Sequence, residues 1–428
     1  MSAAALPKDW SCRRLRFDAR LNPVKSELVL EDDAEVSFVP MDAVGELGGL
    51  RLDEQRSVDD VYNGYTYFCD GDIVIAKITP CFENGKGAIA AGLTNGVGFG
   101  TTELHVVRPN ERLNGCFLFY VTIAHDFRSF GESEMLGAGG QKRVPERFLK
   151  DLQLPFPTLE TQKRIATFLD EKTAQIDALI EKKQALLERL SEKRQAIITQ
   201  AVTKGLNPAV PMKDSGIDWL GEVPGHWEKG NIRRFATMKT GHTPSRTIPE
   251  YWDNCTIPWF TLSDVWQLRD GTRIYIEETA EKISALGLAN SAAELLPTGT
   301  VIFSRTASIG FSGIMPCPMA TTQDFWNWIC GPKLRSEYLL FLFRAMTQKF
   351  AEITNGSTHK TIYQPIAAGL EICVPPLAEQ NVISSEIQKS MKLVDYARSK
   401  VMASITRLTE YRSALITAAV TGQIEGLR

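Results

Sequence analysis

Residues 157–203 return at 375–421, 218 positions later and without a gap, with 17 of the 47 positions identical. The identities crowd toward the end of the segment. There Arg189-Leu190, Glu192, Arg194, Ala196, Ile198-Thr199 and Ala201-Val202-Thr203 are matched by Arg407-Leu408, Glu410, Arg412, Ala414, Ile416-Thr417 and Ala419-Val420-Thr421. A duplication of this kind limits the chain to architectures that use one element twice, so a two-fold-like molecule is built from a single polypeptide. Whatever it recognises is expected to have two parts as well.

The repeated element reads as a long helix. From Leu159 to Val202 there is no Pro or Gly, and Leu169, Ile176, Leu190 and Ile197 follow a seven-residue period, joined by Ile165, Leu179 and Leu186. The second copy places Ile387, Val394, Val401, Leu408 and Leu415 at equivalent positions, with Lys183 of the first copy replaced by Val401. Lys172, Lys183 and Lys193 interrupt the first seam. A helix of about 44 residues is about 65 Å long, more than the width of a globular domain, and reads as a strut. Each is entered through prolines, Leu154-Pro155-Phe156-Pro157 and Val374-Pro375-Pro376-Leu377, and followed by a glycine, Gly205 or Gly422. Antiparallel pairing of the two helices is the economical way to cover both apolar stripes.

The segments before the helices also correspond. Leu6-Pro7-Lys8-Asp9-Trp10 matches Val223-Pro224-Gly225-His226-Trp227, and Phe38-Val39-Pro40-Met41-Asp42 matches Trp259-Phe260-Thr261-Leu262-Ser263-Asp264. Gly71-Asp72-Ile73-Val74-Ile75-Ala76-Lys77 matches Gly299-Thr300-Val301-Ile302-Phe303-Ser304-Arg305, a turn glycine and a β-branched run ending in a cation. Thr101-Thr102 and Thr321-Thr322 follow in order. Last come Gly139-Gly140-Gln141-Lys142-Arg143-Val144 and Ser357-Thr358-His359-Lys360-Thr361-Ile362, again 218 residues apart. Between these anchors the halves diverge, as expected of one scaffold carrying two different surfaces. The expected fold is α+β: two globular domains, 1–155 and 207–374, separated by two long antiparallel coiled-coil helices, 156–206 and 375–428, with an internal pseudo-two-fold repeat.

Charge and motifs restrict the function. The chain has 48 basic and 51 acidic residues, a net charge of -3, and residues 1–155 hold 17 basic against 23 acidic. The helical segments are mildly basic, nine to seven over 156–206 and seven to five over 375–428. If the partner is nucleic acid, another subunit must supply much of the phosphate neutralisation. No apolar run is long enough for a membrane span, and Pro7, Lys8 and Asp9 stand where a signal peptide needs its apolar region, so a cytoplasmic protein is expected. The eight cysteines show no CxxC and are expected to be reduced core thiols, and the five histidines show no metal-ligand spacing. Phosphate-loop, HExxH, GxSxG and [DNS]-P-P-[YF] signatures are all missing. Asn84-Gly85-Lys86-Gly87 lacks the leading glycine and the Ser/Thr of a phosphate loop. A non-catalytic protein without a metal or a cofactor of its own is the expectation.

Two variable domains, each opening in a P-x-x-W turn and closing on a PPLxEQ-like entry to a long helix, resemble the specificity subunit of type I restriction-modification systems. The residues concerned are Pro157-Thr158-Leu159-Glu160-Thr161-Gln162, Pro375-Pro376-Leu377-Ala378-Glu379-Gln380 and Trp219-Leu220-Gly221-Glu222-Val223-Pro224-Gly225-His226-Trp227. The first copy departs at Thr158 and Glu160-Thr161, and its opening turn is shorter. The resemblance implies recognition domains that each read one half of a split DNA site, with the helices setting the spacer. It also implies two adenine methyltransferase subunits carrying S-adenosylmethionine, and ATP-driven restriction subunits that translocate and cut. The rival reading is a coiled-coil adaptor that binds two protein partners.

Candidate DNA contacts follow from the matched anchors. Lys77 and Arg305 end equivalent strands and are expected to touch phosphate or base edges. Gln141, Lys142 and Arg143, with Thr358, His359 and Lys360, lie in small-residue loops that allow close approach of the backbone to DNA. Thr101, Thr102, Thr321, Thr322 and Gln323 are candidate base readers. Trp10 and Trp227 are expected as core anchors, and Tyr251, Trp252 and Trp326 are candidates for partial exposure, although aromatic residues are more often core.

Overall fold

Alternating and continuous apolar runs separated by Gly, Pro and Asn produce short strands in both halves, and the two Pro-free stretches produce one long helix each. The computed structural model describes residue 7 and residues 9–138, 140–306, 309–354 and 361–427. The chain divides into two compact units, residues 1–183 with 403–428 (unit 1) and residues 184–402 (unit 2).

Unit 1 has a four-stranded sheet of β1 (Ala19–Leu21), β2 (Ile73–Ala76), β3 (Gly87–Ile89) and β4 (Leu104–Pro109), in the order β1-β4-β2-β3. Unit 2 repeats it with β5 (Ala236–Thr240), β6 (Val301–Ser304), β7 (Ser312–Ile314) and β8 (Phe325–Cys330), in the order β5-β8-β6-β7. Both sheets are antiparallel throughout. All four residues of β2 and all four of β6 are buried, which is why these strands read as continuous apolar runs rather than alternations.

A second sheet also recurs. In unit 1 Glu35–Val39 pairs antiparallel with Glu54–Ser57 and parallel with Val97–Gly100. In unit 2 Ile257–Phe260 pairs antiparallel with Glu281–Ile283 and parallel with Ala320–Thr321. A two-stranded ribbon completes each unit, Ser11–Arg14 with Gln153–Phe156 and Glu228–Asn231 with Glu371–Val374. The matched strand segments thus belong to one topology used twice.

The long helices are α1 (Leu159–Lys204) and α2 (Leu377–Val420), and both contribute to both units. In unit 1, Ile165, Ala166 and Leu169 of α1 and Ile416, Ala419 and Val420 of α2 share a core with Trp10, Leu15 and Phe117. In unit 2, Ile198, Ala201 and Val202 of α1 and Ile383, Ile387 and Met391 of α2 share a core with Trp227, Tyr338 and Leu339. Each unit has one copy of the same ion pair across the helices. Asp177 meets Arg412 at 2.9 Å in unit 1, and Arg194 meets Asp395 at 2.7 Å in unit 2, where Asp395 and Arg412 are the counterparts of Asp177 and Arg194. Within unit 2 a Cβ on Gly205, just past α1, would lie 3.4 Å from Glu379 near the start of α2, so the helices run antiparallel there.

The expected seam is only partly the real one. Ile165, Leu169, Ile176, Ile387 and Val394 are buried, and Leu190, Ile197, Val401, Leu408 and Leu415 are half-buried. Leu179 and Leu186 are exposed, each at 43%, and belong to neither core. A strict seven-residue repeat drifts by about 20° per heptad round a straight helix, so the buried stripe moves on to Ile198 and Val202 at one end and Ile416 and Val420 at the other.

The glutamine of each helix entry is a structural brace. Gln162 is fully buried; its Nε2 donates to Pro157 O (3.0 Å) and Arg112 O (3.2 Å), and its Oε1 accepts from Asn114 N (2.8 Å). Gln380 repeats this, with Nε2 donating to Pro375 O (2.8 Å) and Lys333 O (2.8 Å) and Oε1 accepting from Arg335 N (2.8 Å). Asn114 and Arg335 are the N-caps of the core helices Gly115–Ile123 and Ser336–Ala345, so each glutamine ties a long helix to a core helix.

Trp10 and Trp227 are buried, as expected of anchors. The Trp227 indole donates to Glu379 Oε1 at 3.1 Å, and His226 meets the other oxygen at 2.7 Å. Thr161 stands where Glu379 would be in unit 1, and the Trp10 indole N–H is buried without an acceptor among the described residues. Trp326, a candidate for partial exposure, is buried and donates to Ile362 O at 2.9 Å; Tyr251 and Trp252 are half-buried. The eight cysteines are free, but against the expectation of core thiols only Cys373 is buried, while Cys69, Cys81, Cys116, Cys255 and Cys330 are half-buried and Cys12 and Cys317 exposed. Among the described residues no helix is long and apolar enough to cross a membrane, and no cluster of His, Cys, Asp and Glu could hold a metal ion.

Candidate nucleic-acid interface

In both units the end of a buried strand lies between an acid-bearing connection that links the two sheets and a later segment of the chain. Lys77 follows β2; its N–H donates to Glu103 O (2.9 Å) and its C=O accepts from Val144 N (2.8 Å). Arg305 follows β6; its N–H donates to Asp324 O (3.0 Å) and its C=O accepts from Ile362 N (2.9 Å). An isolated bridge joins Ile78 to Arg143 in unit 1 and Thr306 to Thr361 in unit 2. The same backbone frame therefore carries different side chains in the two units.

In unit 1 this frame borders an open groove of about 420 Å³ whose lining includes Asn22, Lys77, Thr102, Arg143 and Glu146. Arg143 grips Glu103 through Nε (2.9 Å) and Nη2 (2.8 Å), and its Nη1 donates to Gln141 O (3.3 Å). That hydrogen-bonded guanidinium holds the Glu103 carboxyl below the usual carboxylate range. Gln141, Lys142 and Thr102 are exposed, while Thr101 is half-buried and its hydroxyl accepts from Glu103 N at 3.2 Å.

In unit 2 the acid is held differently. Asp324 accepts from the hydroxyls of Thr306 and Thr322, both at 2.9 Å. Gln323 is exposed and accepts from Thr243 Oγ1 at 2.9 Å. Two expected base readers are corrected. Thr321 is fully buried, with its hydroxyl accepting from Asn327 Nδ2 at 2.8 Å, and Thr322 is buried with its hydroxyl committed to Asp324. Neither presents its side chain to a ligand. Thr358, His359 and Lys360 lie outside the described residues.

Glu103 and Asp324 went unremarked in the sequence, although each follows the matched Thr-Thr pair within two residues. His105 was also missed. It sits on β4, buried, with Nε2 2.9 Å from Val144 O and Nδ1 buried without a partner among the described residues. Burial pulls its pKa below the ordinary histidine value of about 6.5. The folded chain then binds fewer protons here than the unfolded chain, so the contribution to stability is complete above about pH 6.5 and is lost as the pH falls. Thermal unfolding followed between pH 7 and 5.5 is expected to show a declining midpoint. His105→Gln, which keeps a donor toward Val144 O, flattens that decline; an unchanged slope would remove His105 as its cause.

Comparison with known proteins identifies the relationship. The profile of the type I restriction modification DNA specificity domain matches residues 49–189 and 224–401, well over half of the chain and once in each half. The chain belongs to this family. The specificity subunit of the type I restriction enzyme EcoAI of Escherichia coli is 46% identical over 162 residues, 37% of this chain and 27% of that subunit. The EcoEI specificity subunit of the same organism matches to the same extent. The chain thus spans about a quarter of the length of these curated relatives in alignment. The putative MjaX specificity subunit of Methanocaldococcus jannaschii is 20% identical over 430 residues, covering 98% of this chain and 94% of that subunit.

Two solved structures share the fold. One, from work on complex assembly and conformational transition of the type I R-M system, superposes with a TM-score of 0.77 at 16% identity, covering 98% of this chain and 99% of that one. The crystal structure of the HsdS subunit from Thermoanaerobacter tengcongensis superposes with a TM-score of 0.57 at 16% identity, covering 99% of each chain.

Proposed function

We infer that this chain is the DNA-specificity subunit of a cytoplasmic type I restriction-modification complex, in which each unit reads one half of a bipartite, asymmetric DNA site. The observation that carries this reading is the repeated backbone frame around Lys77 and Arg305, filled by Glu103 and Arg143 in one unit and by Asp324, Thr306 and Gln323 in the other. A frame used twice suits two stretches of the same kind of polymer. Different side chains on it suit two different base sequences.

The long helices fix the number of unread base pairs between the half-sites and dock two adenine methyltransferase subunits. Docking is supported by the exposed apolar residues Val382, Leu393 and Tyr396 of α2, which share one helix face at spacings of 11 and three residues. The methyltransferase subunits carry S-adenosylmethionine, the restriction subunits use ATP, and this chain performs no catalytic step. With a net charge of -3, the chain needs those partners to supply positive surface around the duplex.

The deciding measurement is binding of labelled duplexes by the chain purified with and without its methyltransferase subunits. The complex is expected to prefer the duplex defined by methylation mapping of the host over a scrambled one by roughly a thousandfold or more. A complex that assembles but shows no such preference supports the protein-adaptor reading instead.

A further inference from the structure

The two units hold their basic groups in opposite ways. In unit 1 the loop arginine, Arg143, is locked on Glu103. In unit 2 the counterpart acid, Asp324, is taken by two threonine hydroxyls, and Thr361 stands where Arg143 stands in unit 1. Arg305 has no carboxylate and no side-chain hydrogen bond among the described residues, and its Nε is buried without an acceptor. Yet the guanidinium is not loose. Its Cζ lies 4.5 Å from the centroid of the Trp326 ring, and that indole is itself fixed by its hydrogen bond to Ile362 O at 2.9 Å.

A contact to a phosphate needs only a charge at the right distance, which a flexible and hydrated lysine supplies. A guanidinium held over a buried aromatic ring is positioned before any ligand arrives, and its planar fork loses little freedom on making two parallel hydrogen bonds. Among base edges in the major groove, guanine alone offers two adjacent acceptors, O6 and N7. Unit 1 has Lys77 at the equivalent strand end, a point charge without that geometry.

We propose that Arg305 determines specificity by donating two hydrogen bonds to a guanine in the half-site read by unit 2. The assignment rests on the reading of the chain as a DNA-specificity subunit. Position for position, the two half-sites are then read by different chemistry, a guanidinium fork in one unit and a lysine in the other.

The test uses the complex with its methyltransferase subunits and duplexes in which each base pair of the mapped target is replaced in turn. For the wild type, replacing one G·C pair in one half-site weakens binding roughly tenfold to a hundredfold. Arg305→Ala is expected to abolish discrimination at that pair alone, leaving the ratios at all other pairs within about twofold. Arg305→Lys keeps the charge but not the fork, and is expected to behave like Ala at that pair. Two results overturn the proposal: an Arg305→Ala complex that keeps every G·C preference, or one that weakens target and non-target duplexes equally and is restored by Lys, which marks a phosphate contact. If the Ala variant does not assemble, the Lys variant decides by the same ratio. A wild-type complex with no target preference instead refutes the specificity-subunit reading itself, before Arg305 enters.

Discussion

Gln380→Ala lowers the stability of unit 2 by about 3 kcal/mol, because one side chain satisfies three backbone groups. Removing it leaves Pro375 O, Lys333 O and Arg335 N facing a cavity. Each orphaned buried group costs about 1–3 kcal/mol, and partial rehydration of the cavity keeps the total below a simple sum. For a unit of this size the loss corresponds to a fall of roughly 6 to 12 °C in its melting temperature. Gln380→Glu is expected to be worse, since a carboxylate would face two carbonyl oxygens in a fully buried site. Gln162→Ala repeats the effect in unit 1. Calorimetry on the full chain reads both, and a midpoint within a degree of wild type for either Ala variant would show that the brace carries no net stability.

Paired insertions test the helices. Seven residues added after Lys183 in α1 and seven after Met402 in α2 keep the apolar faces in phase to within about 20° and lengthen the pair by about 10 Å, near three base pairs of B-DNA. Both helices must be lengthened because each unit takes residues from both, as the Asp177–Arg412 and Arg194–Asp395 pairs require. The complex is expected to lose its native target by at least roughly a hundredfold, since only one half-site can then be engaged at a time. Methylation mapping of cells carrying the variant is expected to return the same two half-sites with a longer spacer. About three extra base pairs also turn one half-site by about 100° round the duplex, so the new target is bound more weakly than the old. Changed half-site bases at unchanged spacing would refute the ruler.

The architecture was legible because it is written twice. A seven-residue apolar period, a Pro entry and a terminal Gly marked each long helix, and the order of weak matches marked the shared sheets. Where sequence reasoning fell short, the cause lay in burial and partnership. Thr321 looks like a reader because threonine is polar, but it packs at a parallel strand end and its hydroxyl serves Asn327. Leu179 and Leu186 keep the heptad period, yet the buried stripe has rotated away from them. Glu103 and Asp324 drew no attention because an acid is an unpromising ligand for DNA; their role as holders of other side chains depends on distances that spacing does not encode.

The division of each helix between two units has a bearing on synthesis. Unit 2 is one continuous stretch, 184–402, and all members of its largest core lie within it. Unit 1 is discontinuous, and its core includes Ile416, Ala419 and Val420 from the far end of the chain. During translation unit 2 can close while unit 1, begun earlier, waits for its last helical turns. Until then the core around Ile165 and Leu169 lacks Ile416, Ala419 and Val420, and the unfinished first unit exposes apolar surface that a chaperone would cover.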